Sequence, residues 1–143
     1  MATNFLGPVN CLAALQTQLE AGDRVVLVSS MAHWLPFPRA EAYGASKAAL
    51  TWFANSLRLD WEPKGVAVTV VSPGFVDTPL TRKNDFAMPG RVSVDRAVTA
   101  IRHGLAKGQN HIAFPTGFSL ALRLLASLPS GIQRLLLRRM VRS

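Results

Sequence analysis

Val66-Ala67-Val68-Thr69-Val70-Val71-Ser72-Pro73-Gly74 decides the architecture of this chain. From Val66 to Val71 nearly every side chain is apolar and most are β-branched, and a Pro-Gly pair stops the run. A short continuous run of this kind fits a strand covered on both faces, as in a parallel sheet. Upstream, Val25-Val26-Leu27-Val28 is a second run of the same character, followed by Ser29-Ser30. Downstream, His111 to Phe114 is a brief third one.

The segments between and around these runs carry a different period. Leu6, Val9, Ala13, Leu15 and Leu19 give residues 3–21 a broad apolar face, closed by Ala21-Gly22-Asp23. Leu50, Phe53, Leu57 and Trp61 step by three or four through a helix over 42–61, which Pro63-Lys64-Gly65 ends. Ser93 is placed to cap a helix running to about Lys107, and residues 118–141 suggest two apolar helices broken at Pro129-Ser130-Gly131. Between strand and helix, 72–89 is a long, partly helical excursion punctuated by Pro73, Pro79 and Pro89. Helix and strand thus alternate, which predicts an α/β fold of about three parallel strands with flanking helices. In such sheets ligands bind beyond the C-terminal strand ends. Ser29-Ser30 and Ser72-Pro73-Gly74 both lie there, so one rim gathers them.

Size and composition set bounds. With 143 residues, 49% of them hydrophobic, the chain is one domain or part of one. Its single cysteine, Cys11, excludes an internal disulfide and a multi-cysteine metal site. Flanked by Leu12 and Ala13, Cys11 is expected to be a packed thiol. A reducing, cytoplasmic setting fits. No basic leader followed by an apolar stretch stands at the N-terminus, and no apolar run approaches the roughly 20 residues that span a bilayer. Sixteen Lys and Arg against eight Asp and Glu give a net charge of +8, and Arg123, Arg134, Arg138, Arg139 and Arg142 crowd the C-terminus. No nucleic-acid-binding motif accompanies them, so no nucleic acid partner is expected. The leucines of 120–137 could meet a membrane surface peripherally, with the arginines above, or pack on a subunit. His33, His103 and His111 sit in separate elements without metal-ligand spacing, and no metal site is expected.

The chemistry-bearing stretch is Tyr43-Gly44-Ala45-Ser46-Lys47. Tyr43 and Lys47 are four apart on a helix and share a face. A free phenol, with a pKa near 10, is a poor base at neutral pH. A nearby ammonium stabilises the phenolate, and bringing the pKa to about 7 takes roughly 4 kcal/mol. Such a tyrosine gives a proton to an alkoxide or takes one from an alcohol. Ser30 adds a neutral donor for the same oxygen. The small residues Gly44, Ala45 and Ser46 permit a close approach to the helix, as by a flat cofactor. Trp34, Leu35 and Phe37 with Phe86 and Met88 could line an apolar pocket or be loop packing. Residues 80–89 could form a lid.

In this order the segments resemble the short-chain dehydrogenase/reductase family. That family carries Tyr-x-Ala-Ser-Lys with a catalytic serine thirteen residues before the tyrosine, the position of Ser30. Asn4-Phe5-Leu6-Gly7 resembles its Asn-x-x-Gly segment. The resemblance implies a Rossmann-like doubly wound sheet and an oxidoreductase using NAD or NADP to interconvert an alcohol and a ketone or aldehyde. Tyr43 would be the general acid/base. Lys47 would lower its pKa and bind the nicotinamide ribose, and Asn4 would hold a water of the proton relay. Pro73 and Gly74 would underlie the nicotinamide, with Val76 and Thr78 at its carboxamide. The likeness is densest over about 3–80, the catalytic half of the domain. Residues from about 80 to 143 would form the lid and the substrate or oligomer region.

One departure is large. The family's Gly-x-x-x-Gly-x-Gly turn, which seats a pyrophosphate at a helix N-terminus, occurs nowhere in the chain. The sequence therefore corresponds to the C-terminal half of that fold. Two expectations follow. The isolated chain binds the dinucleotide weakly, and its first strand has an exposed apolar edge. The family's helices matching 3–21 and 42–61 often form a dimer interface, implying a homo-oligomer or pairing with a full-length relative. An inactive fragment acting only as a dimerising module is the alternative to an enzyme.

Overall fold

The computed structural model describes residues 1–138. A wide π-helical turn, Ala2–Leu6, leads into helix α1 (Gly7–Leu15), and a 3-10 turn ends the segment at Gln18. Strand β1 (Arg24–Val28) is followed by a 3-10 turn at Met31–His33 and by the long helix α2 (Glu41–Trp61). Strand β2 (Ala67–Pro73), helix α3 (Val94–Ala106), strand β3 (His111–Phe114), helix α4 (Thr116–Ser127) and helix α5 (Ser130–Arg138) complete the order. The expected helix end at Val141, with Arg139 and Arg142, lies outside the described residues.

The three strands form one parallel sheet in the order β1-β2-β3. Val28 is in register with Val71, and Pro73 with Phe114, so the C-terminal strand ends lie side by side. Alternation along β2 sorts the core. Val66, Val68 and Val70 pack with Leu12, Leu27, Leu50, Ala54 and Trp61 under α1 and α2. Val71 turns the other way, onto Ile112, Phe114 and Ala97 of α3. At the N-terminal strand ends, Arg58 of α2 donates from Nε to the Val68 carbonyl (2.9 Å) and from Nη2 to that of Asn110 (2.8 Å). One side chain thereby fastens helix and sheet at the end away from Ser30.

Two expectations are corrected. β1 is not covered on both faces: Val26 and Val28 are exposed, because α3 lies over β2 and β3 and leaves that face of β1 bare. Its edge is indeed the exposed apolar edge anticipated. Cys11 is not packed either. It is exposed, since Leu12 is the only residue of α1 that is buried. Among the described residues no helix is long and apolar enough to cross a membrane.

Candidate functional site at the C-terminal sheet edge

Ser29 and Ser30 divide their labour. Ser29 continues the sheet, its N–H donating to the Val71 carbonyl (2.7 Å). Its buried hydroxyl is hydrogen-bonded to Thr51 Oγ1 (2.7 Å) and to the Lys47 carbonyl (3.1 Å) of α2. Ser30 caps the following turn, with Oγ accepting from the Ala32 N–H (3.2 Å). A hydroxyl has one donor and two lone pairs, so this cap leaves the Ser30 proton for another acceptor.

α2 brings Tyr43 and Lys47 to the same edge. Lys47 Nζ donates to the Val28 carbonyl, the last of β1, at 2.9 Å and lies 5.9 Å from the centre of the Tyr43 ring. Partial burial holds the Lys47 pKa below the usual lysine value. Tyr43 itself is 45% exposed, open to a ligand. Between them Ser46 is buried and donates to the Tyr43 carbonyl (2.7 Å). Ser46 Oγ also accepts from Asn4 Nδ2 (3.2 Å). Asn4, on the π-helical turn, is thus fastened to α2 one residue from Lys47. Its side-chain amide bonds Ser46 and not Lys47.

The small residues of this stretch serve the chain itself. A Cβ on Gly44 would stand 3.1 Å from the Ala32 carbonyl oxygen, so glycine lets the Ser30 turn lie directly on α2. Ser46 faces inward. Close approach at Gly44 is thus used by the protein's own turn, while Ala45 is exposed.

Pro73 and Gly74 follow β2 to the same edge, the Gly74 N–H donating to the Phe114 carbonyl (2.9 Å). Val76 is paired with Val92 in a short parallel bridge. Thr81, which sequence reasoning missed, orders the next turn. Its Oγ1 accepts from the Thr78 N–H (2.9 Å) and donates to the Val76 carbonyl (2.6 Å). Asp77 binds Arg82 (2.9 Å), and this bond holds its carboxyl below the usual range. Trp34, Leu35 and Phe37 pack with Leu122 and Leu137 of α4 and α5, away from Phe86, which stacks edge-on against Phe75. Loop packing thus accounts for Trp34, Leu35 and Phe37.

A second polar cluster adjoins Ser30. His33 Nδ1 donates to the Ser30 carbonyl (2.6 Å), and its ring lies 5.9 Å from that of His111. His111 Nε2 is 2.8 Å from Ser72 Oγ, and Arg123 Nη2 is 3.3 Å from His111 Nδ1. An arginine has no lone pair to offer, so His111 Nδ1 is the acceptor and Nε2 carries the proton. Arg123 also lies 4.8 Å above the Trp34 ring, a cation–π contact. Burial and the Arg123 charge push the His111 pKa down to about 4. His33 is lowered chiefly by burial. Only proximity in the fold joins these residues, and their sequence spacing carries no signal of it.

This arrangement has counterparts. The sequence pattern of the short chain dehydrogenase family matches residues 1–88. An uncharacterized oxidoreductase of Myxococcus xanthus is 36% identical over 132 residues, 91% of this chain and 52% of that protein. The 11-beta-hydroxysteroid dehydrogenase A of Arachis hypogaea is 36% identical over 97 residues, 67% of this chain and 28% of that protein. A short chain dehydrogenase of Burkholderia cenocepacia, solved in complex with NADP, superposes with a TM-score of 0.76 at 26% identity, over 87% of this chain and 52% of that one. The chain therefore spans about half the length of the first of these relatives, or less. With the family pattern matched over residues 1–88 and a relative 36% identical over 91% of the chain, the chain belongs to the short-chain dehydrogenase family.

Proposed function

We propose that these residues form the catalytic edge of an NAD- or NADP-dependent oxidoreductase that interconverts an alcohol and a ketone or aldehyde. The observation that carries this reading is the position of Lys47, whose ammonium sits at the end of β1, beside the Tyr43 ring and two residues before Ser30. When bound, the nicotinamide supplies or accepts the hydride. Ser30 donates to the substrate oxygen, and Tyr43 delivers its proton to that oxygen as charge develops, or removes it in the reverse direction. Lys47 stabilises the phenolate and meets the ribose. Asn4, tied to Ser46, orders the water that reconnects Lys47 to solvent.

The residues present fit the nicotinamide end of the cofactor. Pro73, Gly74, Val76 and Thr78 lie on the turn that leaves the C-terminal end of β2, ordered by Thr81. The pyrophosphate end has no glycine loop within residues 1–143.

A small apolar substrate suits the Phe75–Phe86 pair. The segment 80–89 above it is tethered by the Arg39–Asp85 ion pair (2.9 Å), which suits a lid. Trp52 and Leu59, seven apart on the outer side of α2 and 79% and 72% exposed, suit a second copy of the protein. The test is oxidation of NADH or NADPH by apolar ketones, followed by absorbance, in the longest form of the protein that carries these residues. Tyr43→Phe should lower kcat by roughly 10²- to 10⁴-fold without altering the far-UV spectrum. An unchanged kcat ends the assignment.

A further inference from the structure

The net positive charge of this protein is confined to one part of it. Residues 1–95 hold all eight Asp and Glu together with eight Lys and Arg, whereas 96–143 hold the other eight Lys and Arg and no acid. The first part is neutral, and the second carries the whole excess of +8.

That basic part ends in a helical hairpin with two unlike faces. Inward, Leu122 of α4 and Leu137 of α5 pack on Met31 and Leu35, next to the Ser30 turn. Gln133 locks the hairpin, its Nε2 donating to the Ala126 and Leu128 carbonyls at 2.9 and 2.7 Å. Outward, Leu120 and Leu124 of α4 are followed by Leu128 just past its end, and Ile132, Leu135 and Leu136 continue on α5, all between 37% and 70% exposed. Arg134 and Arg138, also exposed, stand four apart on the flank of α5, bordering a groove with Pro36 and Pro38.

Exposed leucines flanked by arginines, without a carboxylate anywhere nearby in the sequence, select their partner by charge. A second copy of this face would oppose arginine with arginine. Nucleic acid would satisfy the arginines and leave six apolar side chains in water. An anionic bilayer satisfies both, taking the leucines into the acyl boundary and the guanidinium groups among phosphates. We propose that the α4–α5 hairpin seats this protein on anionic lipid surfaces. Because the inner face of the hairpin carries the Met31 turn, docking would bring the Ser30 edge close to the lipid. The seating does not depend on the proposed oxidoreductase activity.

Flotation of the full chain with vesicles tests this, comparing phosphatidylcholine alone with phosphatidylcholine mixed with phosphatidylglycerol. Binding is expected only with phosphatidylglycerol and should weaken as salt rises. Arg134→Gln with Arg138→Gln should lower that partition by about 30-fold, and Leu124→Ser with Leu135→Ser by at least about tenfold. All four side chains are exposed, so far-UV spectra should be unchanged. If a double variant loses its spectrum, the single Arg134→Gln and Leu124→Ser serve. Three results would overturn the proposal: no vesicle binding, equal binding to both lipids, or a dimer that the leucine substitutions dissociate.

Discussion

His111 accepts from Arg123 through one ring nitrogen and donates to Ser72 through the other, which only the neutral imidazole can do. Its folded pKa is about 4, against an unfolded value near 6.5. As pH falls through about 6.5 the unfolded chain takes up a proton that the folded one refuses, so stability declines until about pH 4. Arg123, His33 and Arg58 all oppose the charge, and His33, also lowered, adds to the loss with the same sign. Urea midpoints measured across this window should fall, and His111→Asn should flatten the decline. A wild-type midpoint constant from about 6.5 down to about 4 would contradict the assignment. Residue type and local spacing singled out Ser30, Tyr43 and Lys47 in the sequence, and the fold sets the Lys47 ammonium at the end of β1 and 5.9 Å from the centre of the Tyr43 ring. His33, His111 and Arg123 were not, since strand register and the return of α4 bring them together. Asn4 shows an intermediate case. The sequence placed it near Lys47, but only the fold reveals Ser46 as its anchor.

Among the elements, α3 lies on β3 by virtue of Gly104. A Cβ there would stand 2.6 Å from both Cγ1 and Cδ1 of Ile112 and 2.9 Å from Gln109 Oε1. Gly104→Ala should gain up to about 1 kcal/mol in helix propensity and lose about 1–3 kcal/mol to overpacking. The crowding falls partly on Ile112 Cγ1, close to the backbone, so the loss should win. Thermal unfolding should show a lowered Tm; a raised Tm would mean that β3 yields easily. Element types were otherwise plain in the sequence. β3 and the Ser93 cap stand where period and cap chemistry put them, and the break expected at Pro129-Ser130-Gly131 falls at Leu128-Pro129, with Ser130 and Gly131 opening α5. The π-helical turn at Ala2–Leu6 was not foreseen, because an apolar face does not distinguish a wide turn from an α-helical one. Nor was the bare face of β1. Four apolar residues in a row announce a strand, but coverage depends on where the next helix lands.

For the molecule as a whole, the sheet begins at β1, which among the described residues has an unpaired side and a bare face. The chain spans 52% of its Myxococcus relative, and two properties of residues 1–143 follow from what they contain. First, with the proposed nicotinamide-end residues but no glycine-rich pyrophosphate loop, calorimetry on the monomeric chain should show weak NAD or NADP binding. Tight binding would refute the half-site reading. Second, the edge should drive self-association. Val26 and Val28 point to the same side of β1, in register with Thr69 and Val71, and are 38% and 54% exposed along an edge that no other strand pairs among the described residues, although Lys47 Nζ takes the Val28 carbonyl. Such an edge templates another strand. Charge on it is the usual protection, and here the only charged residue of β1, Arg24, is turned to Thr69 Oγ1 at 3.0 Å. Sedimentation of the wild-type chain should therefore reveal concentration-dependent oligomers. Val26→Lys with Val28→Glu should shift the distribution toward monomer while leaving the far-UV spectrum intact, because neither side chain belongs to a core cluster. Were the oligomers to persist in this variant and disappear in Trp52→Ser with Leu59→Ser, association would belong to the outer face of α2, and the β1 edge would be harmless.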